Sequence, residues 1–148
     1  MKYGMRAMTA TASLGLGALH RILRAGRPLG APEIAEALGQ PVPRVRAILR
    51  QFREAGLVRS RRGHGFLLDR APGEITLELL LRILQEPEAP GAPCGGDYEA
   101  CASRASCILA PVCRKIHEAV LEAERTVTLE DLRDMLPGIP NCIDPAVH

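Results

Sequence analysis

The residues of this chain whose type and spacing could do chemistry are five cysteines: Cys94, Cys101, Cys107, Cys113 and Cys142. Six and five residues separate the first three, and the glycine, aspartate and serine residues between them are typical of a wrapping loop. Zinc sites usually draw on closely spaced cysteine pairs, whereas the thiolates of an iron-sulfur cluster surround a larger inorganic core. The spacing therefore favours a cluster over zinc. A reversible disulfide switch and chemically inert thiols remain as other interpretations.

Cys113 and His117 stand four residues apart in a segment with helical periodicity. On one helix face, both side chains could reach the same metal centre, so either could be a further ligand. The more ordinary interpretation makes Cys113 a small core residue and His117 a solvent-facing one. We favour that ordinary interpretation for the pair.

The cysteine count and the first residues of the chain bear on the compartment. An odd number of cysteines without a clear export signal predicts reduced thiols rather than a disulfide framework. The apolar stretch from Ala7 to Leu19 resembles a secretory signal, but its apolar residues recur at helical spacing, which favours a retained amphipathic helix. No apolar run approaches the roughly 20 residues of a membrane span. We expect a cytoplasmic protein without a membrane partner.

Composition and charge indicate a folded, mostly helical chain with two electrically different parts. Hydrophobic residues make up 47% of the 148 residues and charged residues 24%, with few aromatic side chains, which suits the packing of aliphatic helices. Between residues 27 and 62 there are eight arginines and three glutamates, whereas residues 86 to 148 hold five basic and eleven acidic residues. A basic segment of this density indicates contact with a polyphosphate, and a solvated charged surface is the plainer alternative.

Two short helices follow a long first helix predicted over residues 3–25. Pro32 and Glu33 begin the second helix and Gly39 ends it, and Pro43 then begins a third helix that ends near Gly56. The third helix carries one narrow apolar stripe, and its other sides are dominated by arginine. Two helices joined by a tight connection, the second with a basic face, are typical of a helix-turn-helix with its recognition helix.

A β-hairpin is predicted directly after the third helix. Strands at 57–60 and 66–68 flank a basic, glycine-containing turn. Arg61, Arg62 and His64 lie in that turn, where they could contact a phosphate backbone or enter a minor groove. The position of this hairpin predicts the wing of a winged helix-turn-helix, and a plain surface hairpin is the alternative.

The rest of the chain divides into four further segments. A helix is predicted over 75–84 with Thr76 as its cap, and the Pro- and Gly-rich residues 86–96 predict a loop. A helical pattern resumes over 112–125, and Thr128 begins a short helix. We therefore expect a winged DNA-binding domain at 1–85, a cysteine-rich cluster-binding loop at 86–109, a dimerisation helix with a short helix at 110–136 and a tail at 137–148.

These motifs, in this order, resemble the regulator-of-redox-function family of winged helix repressors and activators. The matching stretches are residues 2–8 in the first helix, 33–35, 57–60 with Gly63 and Gly65, 74–77, the three-cysteine loop, and 128–132. The resemblance extends from Tyr3 to about Leu136. It implies a mainly α fold, a winged helix-turn-helix with a small hairpin wing and a long C-terminal dimerisation helix, here about Ala110 to Arg125.

The resemblance also implies how the protein works. Two winged domains of a homodimer would bind double-stranded DNA at a palindromic operator, and Cys94, Cys101 and Cys107 would hold a 2Fe-2S or 4Fe-4S cluster whose state sets DNA affinity. The fourth ligand stays open among Cys113, His117 and a residue from the first helix of the partner. The sequence also departs from the family, because Arg46 stands where the cluster regulator has an acidic residue.

The working hypothesis is a DNA-binding transcription regulator, a repressor, that senses redox state, iron or nitric oxide through the cluster. The residues expected to contact DNA are Arg44, Arg46, Ala47, Arg50 and Gln51 on the third helix, with Arg61, Arg62 and His64 on the wing. The alternatives are a thiol-switch or zinc-dependent regulator of the same fold, or a metal adaptor that binds no DNA. The sequence shows no phosphate-binding loop, no pair of carboxylates and no oxyanion motif. We therefore do not expect an enzyme.

Overall fold

A computed structural model describes residues 9–84, 101–103 and 105–135 of the chain. The order of its elements is α1 (Ala10–Ala25), α2 (Ala31–Leu38), α3 (Val42–Glu54), β1 (Val58–Arg61), β2 (Gly65–Leu68), a 3-10 turn (Pro72–Glu74), α4 (Leu77–Ile83), α5 (Ala110–Thr126) and a second 3-10 turn (Glu130–Leu132). The predicted fold class, a mainly α chain with a small β-hairpin, is confirmed.

The first helix has a cap at each end. The hydroxyl of Thr9 accepts a hydrogen bond from the backbone N–H of Ala12 at 3.1 Å, and Gly26 ends the helix in a left-handed conformation with φ 61°. The predicted end of this helix is therefore confirmed. The predicted start near Tyr3 is wrong, because Thr9 has extended backbone (φ -70°, ψ 165°) and the helix begins at Ala10.

The helix-turn-helix is built as its apolar pattern predicts. Ile34 and Leu38 of α2 are fully buried, and Gly39 ends that helix with φ 61°. The stripe on α3 at spacings of three and four residues is also buried, and Phe52 has no exposed surface. Both helices therefore pack their apolar faces into one core.

The wing is tied to the connection between α1 and α2. Strands β1 and β2 pair antiparallel from Val58 opposite Leu68 to Arg61 opposite Gly65. Leu29 and Phe66 exchange two backbone hydrogen bonds, of 3.0 and 2.7 Å. A Cβ atom on Gly65 would lie 2.3 Å from the carbonyl carbon of Leu29, so only glycine permits this approach. The start of β2, next to the turn, is thereby held against the connection that precedes α2.

The chain returns to the winged domain after α5. The N–H of Leu77 donates to the carbonyl of Val127 at 3.0 Å, and the N–H of Leu129 donates to the carbonyl of Ile75 at 2.9 Å. The side chain of Leu129 is 1% exposed and belongs to the core of the winged domain. We call residues 127–129 the return segment. It fixes the C-terminal end of α5 to the winged domain.

Three local predictions differ in detail from the structure. Strand β1 lies one residue later than the predicted 57–60, and β2 begins one residue before the predicted 66–68 but ends as predicted. Helix α4 begins at Leu77 because Thr76 is its cap, and the Thr76 hydroxyl accepts a hydrogen bond from Leu79 N–H at 3.1 Å. The helix predicted from Thr128 is a single 3-10 turn. Asp131 accepts from the N–H and hydroxyl of Thr128, which closes that turn locally. No helix in the described parts of the chain is long and apolar enough to cross a membrane.

Candidate DNA interface and cysteine segment

The predicted DNA-contacting positions of α3 all lie on its exposed side. Burial of the stripe containing Val45, Leu49 and Phe52 orients the helix, because side chains three or four positions apart share a face. The exposed positions that were predicted to read DNA are Arg44, Arg46, Ala47, Arg50 and Gln51. The structure therefore brings the five residues to one accessible side of a single helix.

The exposed side of α3 carries positive charge that no ion pair among the described residues neutralises. Among the described residues, neither Arg46 nor Arg50 has an ion-pair partner, and Arg44 donates from Nη1 to the amide oxygen of Gln40 at 2.9 Å. Guanidinium groups placed on a helix in this way can donate two parallel hydrogen bonds to a base edge or to a phosphate. This side of α3 is chemically suited to a polyanion.

The wing tip is a second cluster of exposed cations. Residues 62–64 form the turn, in which Gly63 has φ 75° and the N–H of His64 donates to the carbonyl of Arg61 at 2.9 Å. Arg61, Arg62 and His64 are all exposed. At the base of the hairpin, by contrast, Arg59 lies 3.8 Å from the carboxylate of Asp69. The uncompensated charge of the hairpin is therefore concentrated at its tip.

Backbone hydrogen bonds join α3 to the wing. The N–H of Leu57 donates to the carbonyl of Phe52 at 2.8 Å, and the N–H of Asp69 donates back to the carbonyl of Leu57 at 2.9 Å. Leu57 and Val58 are buried where the helix passes into the strand. The two cationic surfaces therefore keep a set separation, as a protein that contacts two parts of one duplex requires.

An exposed ion pair joins Arg27 to Glu33 near the start of α2. The Glu33 carboxylate accepts two hydrogen bonds from the Arg27 guanidinium, which holds the pKa of Glu33 below its ordinary value and raises the pKa of Arg27. Glu33 lies in the first turn of α2, where a negative charge suits the helix dipole. This pair supports the connection to which the wing is attached.

Two of the three predicted cluster ligands lie in the described chain, next to the start of α5. Cys101 and Cys107 are half-buried and are not joined in a disulfide. The N–H of Cys107 donates to the carbonyl of Ser103 at 2.9 Å, and the carbonyl of Cys107 accepts from Ala110 N–H at 3.0 Å. Cys107 therefore sits on a hydrogen-bonded turn that leads directly into α5. Cys94 lies outside the described residues.

The described cysteines fit the donor chemistry of an iron-sulfur cluster without completing a site. Partly accessible thiols on a short turn can supply thiolates to iron, since they are neither sealed in the core nor paired with each other. Within the described residues no group of three or more His, Cys, Asp or Glu side chains is placed to hold a metal. The assignment of Cys94, Cys101 and Cys107 as ligands stays a prediction.

The side of α5 that packs toward α4 is polar. Cys113 and His117 are each 8% exposed, and Glu124 is 1% exposed. We call these three residues the inner face of α5. Burial of Cys113 agrees with its interpretation as a core residue, but the prediction that His117 faces solvent is wrong. It fails because α5 turns this stripe, and not its aliphatic one, toward its own winged domain.

The side of α5 next to the inner face is apolar and exposed. Leu109, Val112 and Ile116 are 46%, 50% and 43% exposed. With two exposed alanines they form a stripe at spacings of three and four residues, which we call the outer face of α5: Leu109, Val112, Ile116, Ala119 and Ala123. A contiguous apolar stripe of this kind on an exposed helix is typical of an interaction surface.

Comparison with known proteins identifies the family. The Rrf2 family model, described as an iron-dependent transcriptional regulator, matches residues 4–135. This chain belongs to the Rrf2 family. A curated helix-turn-helix-type transcriptional regulator of Synechocystis sp. is 33% identical over 107 residues, which are 71% of each chain. The resemblance inferred from the sequence is confirmed, and relatives that regulate transcription agree with the expectation that the chain is not an enzyme.

Solved Rrf2-type structures show the same fold. CymR, the global cysteine regulator of B. subtilis, matches with a TM-score of 0.68 at 24% identity over 87% of this chain and 97% of its own. IscR from T. potens matches with a TM-score of 0.64 at 23% identity, over 88% of this chain and 93% of its own. At these identities the likeness concerns the fold alone.

Sequence reasoning missed two structurally important residues of this Rrf2-family protein. Glu124 is a buried carboxylate in a helix whose hydrophobic pattern points elsewhere, and Leu129 completes the core of a domain that ends about 45 residues earlier in the chain. The helical spacing from Cys113 through His117 to Glu124 was the available signal for the first. No local pattern indicates the second, because its partner Ile75 is distant in sequence.

Proposed function

We propose that this Rrf2-family regulator binds double-stranded DNA as a homodimer, and that an iron-sulfur cluster on Cys94, Cys101 and Cys107 sets its affinity for a palindromic operator. One observation supports the proposal most strongly. The exposed arginines of α3 and of the wing tip lack ion-pair partners among the described residues, and backbone hydrogen bonds of Leu57 join the two surfaces. The cysteines add the sensing half of the proposal, because Cys107 lies on a turn that runs directly into α5.

The exposed side of α3 would enter the major groove. A recognition helix contacts base edges there, and arginine can bond the two acceptors of guanine with two parallel N–H groups. Arg44, Arg46 and Arg50 are the candidates for such contacts, with Ala47 and Gln51 beside them. Arg61, Arg62 and His64 would hold the phosphate backbone or the minor groove next to the helix.

A second copy of the chain would cover the outer face of α5. Leu109, Val112 and Ile116 repeat at the spacing by which helices pack side by side, and a monomer would leave them in water. Two winged domains related by a two-fold axis would read two half-sites, about 34 Å or one helical turn apart or at multiples of it. The palindromic operator follows from that symmetry.

The two ends of α5 differ in a way that suits signal transmission. Its C-terminal end is fixed by the return segment, whose Leu129 is buried in the winged domain. Its N-terminal end is preceded by Cys107 and by Ile108, which is 92% exposed. When bound, a cluster supplies iron atoms that respond to oxidants, iron supply or nitric oxide. Thiolates released from it would loosen the turn before α5 and alter the balance between dimer arrangements of different DNA affinity.

The test combines composition with DNA binding. The full-length protein is purified without oxygen, and its absorption spectrum, iron and sulfide are measured. Binding is then measured with duplexes selected from a random pool by the protein itself, before and after exposure to air. We expect a coloured protein that contains iron and sulfide, and a change in operator affinity of tenfold or more on cluster loss.

Cysteine variants separate the sensing proposal from its rivals. Cys101→Ala and Cys107→Ala should abolish both the colour and the response, whereas Cys142→Ala, which alters a cysteine outside the set of three, should keep both. A colourless protein with one equivalent of zinc would point to a zinc-dependent regulator. A colourless, metal-free protein that responds only to thiol oxidants would point to a thiol switch. If no duplex binds under any condition, the DNA-binding proposal is wrong and a metal adaptor is the better account.

A further inference from the structure

A contact with the backbone of its own loop determines which ring nitrogen of His64 donates a hydrogen bond. Its Nδ1 lies 2.9 Å from the backbone carbonyl oxygen of Arg62. A carbonyl oxygen can only accept a hydrogen bond, so Nδ1 must carry the proton in this contact. In the neutral ring, Nε2 is then the bare nitrogen, and the residue is exposed. The tip therefore presents an exposed proton-accepting atom close in sequence to Arg61 and Arg62.

Among the residues that the structure describes, no acidic side chain forms an ion pair with His64. On its own hairpin the adjacent charges are Arg61 and Arg62, while Arg59 and Asp69 pair with each other at the base. The connection packed against the hairpin supplies Leu29 and Gly30, which do not titrate. The next charges on that side, Arg27 and Glu33, are bound to each other.

We infer that the wing binds a DNA phosphate with uptake of a proton on Nε2 of His64, so that operator affinity depends on pH. This inference rests on the proposed DNA-binding function and names a regulation of the same site. A phosphate oxygen is an acceptor, as is the bare Nε2 of neutral His64, so the two repel each other. The protonated ring donates from Nε2 to the phosphate and still donates from Nδ1 to the carbonyl of Arg62. Proton uptake requires no rearrangement of the loop.

The sign of the pH effect follows from this linkage. A bound complex that holds more protons than the free components is favoured at low pH, and it loses affinity as pH rises. The effect is sought between pH 6 and pH 8. The hydrogen-bonded carboxylates of Glu33 and Glu130 have pKa values below the ordinary one and do not titrate in this interval.

The experiment measures the dissociation constant of the full-length protein for one operator duplex between pH 6 and pH 8 at constant ionic strength. We expect the wild-type protein to weaken by about tenfold across the interval for each wing that takes up one proton. His64→Gln keeps a neutral polar side chain and should show a flat profile. His64→Lys keeps a cation at every pH, and its affinity should stay near the low-pH value of the wild type up to pH 8.

Two controls make the result specific to His64. Arg62→Gln removes a cation from the same tip, so binding should weaken at every pH while the slope with pH remains. Calorimetry at pH 7 in two buffers of different ionisation enthalpy counts the protons taken up directly, and His64→Gln should remove them. Equal pH slopes in the wild type and His64→Gln would overturn the inference although both bind DNA. Absence of binding to any duplex at any pH would instead refute the proposed function, and the inference with it.

Discussion

Helices α3 and α5 are both amphipathic, but they bury different kinds of side chain. α3 buries its aliphatic stripe and Phe52 and exposes arginines, as expected of a helix that is complete within one chain. α5 buries Cys113, His117 and Glu124 and exposes aliphatic side chains such as Val112. The comparison shows that α3 leaves a cationic surface exposed to solvent, whereas α5 leaves an apolar surface exposed.

The largest expected effect is on the attachment of α5. Leu129→Ala removes a side chain that is 1% exposed in the core of the winged domain. We expect it to lower the free energy of unfolding by about 2–5 kcal/mol, because truncation of a buried leucine loses transfer energy and leaves a cavity. Urea unfolding measures this loss. Met135→Ala, at a position that is 58% exposed, is the control and should change stability by about 0.5 kcal/mol or less.

The second prediction concerns the outer face of α5. Ile116→Glu places a charge in the middle of the apolar stripe, so dimer dissociation should become at least tenfold easier because that carboxylate would be buried without a partner. Sedimentation at several protein concentrations measures the dimer constant. Lys115→Glu changes the charge of the neighbouring exposed residue and should leave the constant within about threefold. A monomeric wild-type protein at all concentrations would contradict the proposed interface.

The third prediction concerns base reading by α3. Arg44→Ala should cost about 1–3 kcal/mol of operator binding and relax specificity at one base position, if its guanidinium makes a paired contact with a base. Binding to a panel of single-base operator variants measures both quantities. Arg53→Ala, in the last turn of the same helix, is the matched control and should not change which base is preferred. Unchanged preference in Arg44→Ala would remove that residue from the base-reading set.

The smallest expected effect is at the wing. Arg62→Ala should weaken binding almost equally to all sequences, because a phosphate contact carries no base information. The slope of log affinity against log salt concentration should fall by about 1, the loss of one phosphate contact. Titrations at four or more salt concentrations give the slope. If Arg62→Ala instead changed the base preference, the wing tip would contact a DNA groove and not the phosphate backbone.

The helix-turn-helix and the wing could be predicted from the sequence because their determinants are local. Apolar spacing located α3, Gly39 marked the end of α2, and Thr76 was recognised as the cap of α4. The hairpin was predicted within one residue of each strand boundary. The assignment of these residues to DNA, and of the cysteines to a cluster, stays a prediction that the experiments above address.

By itself, the amino-acid sequence determined the fold class, the family and the cationic character of α3 and the wing tip, since those depend on residue types at short, regular spacings. Only the tertiary structure decided that His117 and Glu124 are buried, that the aliphatic face of α5 is left exposed, and that Leu129 returns to pair with Ile75. The physical reason is that periodicity defines the faces of a helix, but the choice of which face is buried depends on partners distant in the chain.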